Sequence, residues 1–168
     1  AGIALPTALG LAQTAMAATP KKGGRLRWGN SAADSNDSLD PATWLSSFMM
    51  ATGWLSANGL TEVGPDGQLI PELAESIESD DAQTWMFRLR QGVEFHNGKT
   101  LTPEDIMANF AYHMADDSTS AAKGLLSGIA DIRKDGDNNV VFELAGANAD
   151  FPSVLSDYHL VIRPSEAD

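Results

Sequence analysis

Gly98-Lys99-Thr100 has the residue types that close a phosphate-binding loop, in which backbone N–H groups and a lysine cradle the phosphates. Such a loop needs a glycine five positions before its second glycine. That position holds Val93, and the order of elements around the run is wrong, so it reads as a turn leading into a helix. Asp135-Gly136-Asp137-Asn138-Asn139 begins like a calcium loop. Its sixth position is Val140 where glycine is needed and its twelfth is Gly146 where glutamate is needed, so it reads as a polar hairpin turn. His96, His113 and His159 lack the i, i+4 spacing of a zinc helix and read as surface or packed histidines. There is no Gly-x-Ser-x-Gly elbow. The carboxylates are many, but no spacing gives a pair the divergent environments that acid–base catalysis requires. With no cysteine, thiolate nucleophiles, thiolate metal sites and disulfides are excluded. The residues make no case for an enzyme and call for no cofactor and no metal. Trp44, Phe48, Trp54, Trp85 and Phe87 remain, as candidates for a ligand-pocket wall or for core. Core is the reading for Trp85 and Phe87, and the choice stays open for Trp44 and Phe48.

These side chains need elements to hold them. Residues 24–29 read as a first short strand and 30–40 as a polar loop ending in Asp40-Pro41, a helix-entry signal. From Trp44 to Ser56 apolar residues recur at helical spacing, and Asn58-Gly59 supplies the stop. Leu60–Val63 and Gln68–Ile70 flank Gly64-Pro65-Asp66-Gly67, a hairpin. Residues 84–90 alternate, with Trp85, Phe87 and Leu89 on one face of a half-buried strand, and Val93 and Phe95 start another strand edge. Thr102-Pro103-Glu104-Asp105 starts a helix with Ile106, Phe110 and Met114 as its buried stripe, the acids suiting the positive end of its dipole. A shorter helix is expected within 121–129, a second hairpin over 130–144, a short helix at Phe151–Leu155 and a final strand over Tyr158–Ile162. Hairpins with helices between them make this an α+β segment.

The chain has 168 residues, enough for about one domain, and a net charge of -12. An acidic surface repels phosphate backbones and anionic lipid, so neither nucleic acid nor a membrane surface is expected as partner. Residues 1–17 carry no charged side chain and end in Ala15-Met16-Ala17, an A-x-A cleavage pattern. They read as the remnant of a secretory signal that has lost its basic start. No cysteine stands at the cleavage point for a lipid anchor, so a free periplasmic protein with no stable membrane anchor is expected.

The longest ordered pattern runs through Leu39-Asp40-Pro41, Gly59-Leu60, Pro71-Glu72-Leu73-Ala74-Glu75-Ser76, Trp85 to Arg90, Gly92-Val93-Glu94-Phe95-His96-Asn97-Gly98 and Leu101-Thr102-Pro103-Glu104-Asp105. It resembles the family 5 extracellular solute-binding proteins, the peptide- and nickel-type receptors of bacterial ABC importers, over roughly residues 24–164. Ile77 stands where that family often has Trp, Glu94 where it often has Lys and Asn97 where Asp is common. The resemblance implies a two-lobed α/β fold of the type II periplasmic-binding-protein kind. Residues 18–168 would form the N-terminal part of lobe I, and about 59–159 a smaller subdomain. It implies a monomeric receptor that closes on a short peptide or other small molecule and delivers it to permease subunits. A nickel chelate, an opine or an oligosaccharide is the alternative ligand. A small secreted enzyme or adhesion module is the alternative of another class. In some peptide-binding members the stretch after Leu-Asp-Pro lines the cleft. Leu45, Ser46, Ser47 and Phe48 are therefore the expected ligand-binding residues, with Asn30 and Ser31 behind them, while the block from Pro71 to Asp105 is assigned to folding.

Overall fold

The computed structural model describes residues 22–25 and 27–166. The signal remnant at 1–17 and the start of the following segment lie outside the described residues. Two antiparallel sheets organise the chain. The first is a hairpin of β1 (Thr61–Val63) and β2 (Leu69–Pro71), turned at Gly67, whose φ of 77° suits a residue without a Cβ. The second has four strands in the order β3-β4-β6-β5: β3 (Ala74–Glu78), β4 (Thr84–Leu89), β5 (Ile129–Asp135) and β6 (Asn139–Leu144). Both predicted hairpins form, the second through Gly136 at φ 68°.

The register explains the core. Trp85 pairs with Phe142 and Phe87 with Val140, so the alternating face of β4 meets the central strand β6. Phe142 is the hub: it stands edge-on to Phe87 at 5.3 Å and to Phe110 at 4.9 Å, and tilted against Phe151 at 5.4 Å between ring centroids. Such pairs add about 0.5–1.5 kcal/mol each to the burial itself. Phe110 comes from α2 (Pro103–Met114), which packs on β5 and β6, and Phe151 from the four-residue α3 (Phe151–Val154). Ile106 and Phe110 are buried as the helical spacing required, and Met114 packs partly buried beside them. Phe87 is fully buried; Trp85 is half-buried, its indole N–H donating to the Ala82 carbonyl at 3.1 Å.

Four expectations need correction. Among the described residues of 24–29 there is no strand, because no neighbouring strand supplies a ladder for their backbone groups. The helix expected from Trp44 begins at Ser47: α1 spans Ser47–Ser56, and Pro41–Thr43 forms a separate 3-10 turn before it. The helix within 121–129 is one 3-10 turn, Lys123–Leu126, carrying Gly124 and followed by Gly128, both poor α-helix formers. The last predicted strand is a 3-10 turn, Tyr158–Leu160, started by Asp157 accepting from the His159 N–H at 2.9 Å. Beyond it the backbone is extended but meets side chains and a loop instead of a strand: Ile162 N–H donates to the Asn58 carbonyl, and Arg163 N–H to Asn109 Oδ1. The structure also adds a strand, β3. Its sequence, Ala-Glu-Ser-Ile-Glu, carries no strand pattern, and its pairing with β4 is broken by a bulge between Ala74 and Ser76.

Candidate functional site

The loop from Asn30 to Ser46 is built from local polar bonds. Asp34 Oδ1 accepts from the Asn36 N–H at 2.9 Å, and Asp37 Oδ2 accepts from the Asp34 N–H at 2.8 Å. Asp40 then joins the loop to the body. Its carboxylate caps the 3-10 turn through the Ala42 N–H at 3.1 Å, accepts the Tyr112 hydroxyl from α2 at 2.6 Å, and lies 4.0 Å from the Arg163 guanidinium. Arg163 in turn stacks over the Tyr112 ring, 4.8 Å from its centroid. The Asp40 carboxylate raises the pKa of the Tyr112 phenol from its ordinary value, with burial adding to it.

Trp44 is buried in a second small cluster with Met49 and Val161, and one side of it also lines the groove described below, so it serves as core and as wall. Its indole N–H donates to the Ser38 carbonyl at 3.0 Å, and its carbonyl accepts from His159 Nε2 at 2.7 Å. Its ring presses on α1 at Gly53, where a Cβ would overlap ring atoms. Gly53→Ala therefore sets a helix-propensity gain of about 1 kcal/mol against overpacking of about 1–3 kcal/mol. We expect a net loss, read as a lower urea midpoint with unchanged slope.

The six expected ligand-binding residues fall into distinct surroundings. Ser47 Oγ donates to Asn30 Oδ1 at 3.5 Å, so residues 17 apart in sequence meet. Ser46 caps α1, accepting from the Met49 N–H at 3.1 Å, and donates to Asp37 Oδ1 at 2.9 Å. Leu45 is 80% exposed beside the buried Trp44, and Ser31 is exposed. Phe48 packs half-buried against the Trp44 cluster.

Sequence reasoning missed a groove of about 380 Å³ on the other side of Trp44. Its volume falls within the roughly 300–1,000 Å³ usual for small-ligand sites. Trp44, Leu73, Phe95, Leu101, Val161 and Ile162 form its apolar walls, with Glu94, His96, Asn97 and Arg163 among its polar residues. None of the six expected residues lines it. The groove arises because the 161–164 segment crosses back over the 93–101 turn, a juxtaposition that no local pattern encodes.

Catalytic chemistry finds little here. Ser120 Oγ accepts from the Ala122 N–H at 3.2 Å and shares a hydrogen bond of 2.6 Å with His113 Nδ1. Both residues are buried, and the other ring nitrogen of His113 has no carboxylate to orient it, so the pair lacks the third member of a nucleophilic triad. Burial, and then the charge of Arg163, lower the His113 pKa to about 4. Among the described residues no three His, Cys, Asp or Glu side chains are grouped to hold a metal. No helix among them is long and apolar enough to cross a membrane.

A four-stranded antiparallel sheet backed by a helix is entered from a polar loop and left by a strap returning alongside that loop. The comparisons place this arrangement in the fold of the type II periplasmic binding proteins. Residues 68–168 match the model of the bacterial extracellular solute-binding proteins, family 5 Middle, and the chain belongs to that family. It is 30% identical over 120 residues to the dipeptide-binding protein of Escherichia coli K12, covering 60% of this chain and 22% of that protein. Among solved structures it is similar to the PBP AgaA from A. tumefaciens R10 in complex with agropinic acid, with a TM-score of 0.73 and 29% identity over 76% of this chain and 26% of the other. It shares the fold of Haemophilus influenzae OppA complexed with a peptide, with a TM-score of 0.69 and 22% identity over 77% and 29% of the two chains. The chain thus spans about a quarter of the length of these relatives.

Proposed function

We propose that this chain supplies the ligand-facing entry to lobe I in the substrate-binding component of an ABC importer, working in the periplasm on short peptides. One observation carries the reading: the 30–48 segment is tied to the body and to itself by Asp40–Tyr112, Trp44–Ser38 and Ser46–Asp37, yet leaves Leu45 exposed and sets Asn30 against Ser47. A tethered polar loop bearing an uncovered apolar side chain suits one wall of a closing clamp. Such a receptor works by hinge closure: contacts from two lobes favour the closed state, and permease subunits read that state. Asn30 and Ser47 would contact ligand backbone, Leu45 and Phe48 its apolar parts, Ser46 would hold the helix end in place, and Ser31 would border the site. The receptor acts as a monomer without catalysis. The similarity to AgaA, higher in identity than that to OppA, favours an opine-like acid as the second reading.

Calorimetric titration of a short-peptide panel and of agropinic acid tests this, using both the 168-residue chain and the product of its complete reading frame. The complete product is expected to bind one class saturably and without turnover. Asn30→Ala and Ser47→Ala are each expected to weaken binding by about 1 kcal/mol, the net worth of one hydrogen bond. The 168-residue chain alone is expected to bind poorly, since enclosure and dehydration supply most of the affinity. Submicromolar peptide binding by the 168-residue chain, or peptide turnover, would overturn the reading.

A further inference from the structure

We propose that Asn97-Gly98 is a site of spontaneous deamidation, placed so that the reaction recharges and reshapes one wall of the apolar groove. Two asparagines precede glycine in this chain, Asn58 and Asn97. Both side chains are exposed, but their bonding and the backbone packing beside them differ.

Asn97 is exposed at the tip of a tight turn in which Phe95 N–H donates to the Lys99 carbonyl and Gly98 N–H to the Phe95 carbonyl, both at 2.8 Å. Gly98 has φ 84° and nothing within 4 Å of where a Cβ would stand, so the backbone beside Asn97 is open to reagents. Asn97 Oδ1 accepts from the Lys99 N–H at 3.0 Å. That bond closes a ring containing both the electrophilic Cγ of Asn97 and the nitrogen of Gly98. It also draws electron density from the side-chain carbonyl, as a donor at a developing oxyanion does.

The chemistry needs only water and a solvent base. The base takes the Gly98 N–H proton, the nitrogen attacks Asn97 Cγ, the Cγ–Nδ2 bond breaks, and ammonia leaves after taking up a proton. The product is a succinimide. Water then opens it at Cγ to give aspartate, or at the Asn97 main-chain carbonyl to give isoaspartate. The opposing influence is the bond from Gly98 N–H to Phe95, which must break first; it is a single bond in an exposed turn, worth about 1 kcal/mol net.

Asn58 is held against the same reaction. Its Nδ2, the leaving nitrogen, donates to Glu72 Oε1 at 2.7 Å, and its main-chain carbonyl accepts from Ile162 N–H. The Cβ position of Gly59 lies 3.3 Å from both the Leu155 and Thr61 carbonyls, so the backbone there is packed in.

The products differ in consequence. Aspartate adds a negative charge beside Lys99 on a wall that already carries Glu94. Isoaspartate inserts a carbon into the main chain between Phe95 and Lys99 and breaks the turn that presents Phe95 and His96 to the groove.

Trypsin separates the two sites, since cleavage after Arg27, Arg88, Arg90 and Lys99 puts Asn58 in peptide 28–88 and Asn97 in peptide 91–99. The folded protein and the free synthetic peptide 91–99 are incubated side by side in mildly alkaline buffer, then followed by mass spectrometry and by an isoaspartyl methyltransferase assay. We expect peptide 91–99 from the folded protein to lose its amide form at least as fast as the free peptide, while the amide of Asn58 persists. Asn97→Gln is expected to abolish the methyl-accepting signal of peptide 91–99 without changing the unfolding midpoint. Retention of the Asn97 amide in folded protein while the free peptide converts, or equal conversion at Asn58, would overturn the proposal.

Discussion

Asp105→Ala is expected to cost about 3–5 kcal/mol of stability, the range for removing one partner from a buried ionic hydrogen-bond set. The carboxylate is fully buried at the first turn of α2, and donors surround it. The Thr102 N–H and hydroxyl each donate at 2.9 Å, the N–H bond being the return arm of a capping box. Lys99 Nζ donates at 2.6 Å, and the Ser165 N–H, 60 residues on, donates at 2.7 Å. Burial alone would push the pKa of this acid up; Lys99, the Ser165 N–H and the two Thr102 donors outweigh it, and the net pKa is lowered. A carboxylate with a folded pKa below its unfolded one contributes stability that is present above the unfolded value and is lost as pH falls through the folded one. Alanine removes that contribution at every pH and leaves the donors facing a void. An asparagine side chain would keep the shape but turn an N–H₂ toward donors, so Asp105→Asn is expected to recover only part of the loss. Urea unfolding followed by tryptophan fluorescence measures both. A loss under about 1 kcal/mol for the alanine variant would show that the strap at 163–166 is held by other means.

That hub also marks how far the residues could be read in advance. Thr102-Pro103 announces a helix start, and acids in its first turn complement the dipole; both hold. The dipole argument says nothing of burial, however, and the structure buries Asp105 under a strap that arrives from far along the chain. Alternation at Trp85, Phe87 and Leu89 and the two glycine-bearing turns specify strands because their information is local and periodic. The segments at 24–29 and 158–162 have strand-like composition as well, but a strand exists only where a neighbour completes its ladder, and composition does not name the neighbour. The site divides along the same line. The meeting of Asn30 and Ser47 follows from a loop that folds back on its own helix, and the resemblance to the family pointed there. The groove depends on Leu73, Leu101 and Val161 converging from three separate stretches, and each of them taken singly looks like ordinary core.

Stability should also fall steeply as pH drops from about 6.5 to about 4, and His113 is the expected cause. Its side chain is 1% exposed on the inner face of α2. Nδ1 shares a hydrogen bond with Ser120 Oγ while Nε2 has no protein partner, so the site offers no second acceptor to a charged ring. Desolvation chiefly, and the Arg163 charge next, hold the folded pKa at about 4, against 6.5 for the ordinary imidazole. Asp40 and Asp157 oppose this shift, and His159 adds to it. Between the two values the unfolded chain binds a proton that the folded one refuses, so acid favours unfolding. The gap corresponds to about 3 kcal/mol at 1.36 kcal/mol per unit, lost progressively below the unfolded value and completely once the pH has passed through the folded one. Asp105 begins to lose its contribution near the ordinary carboxylate value and goes on losing it below, so most of its effect lies lower on the scale than that of His113. His113→Gln keeps an acceptor for Ser120 and removes the titration. Its stability at neutral pH is expected to drop modestly, while its slope between about 6.5 and about 4 flattens by most of that 3 kcal/mol. Urea midpoints measured across the interval for both proteins decide the matter. Parallel curves would mean that the folded state accepts a proton at His113 as readily as the unfolded chain does, and the acid sensitivity would then have to come from the carboxylates.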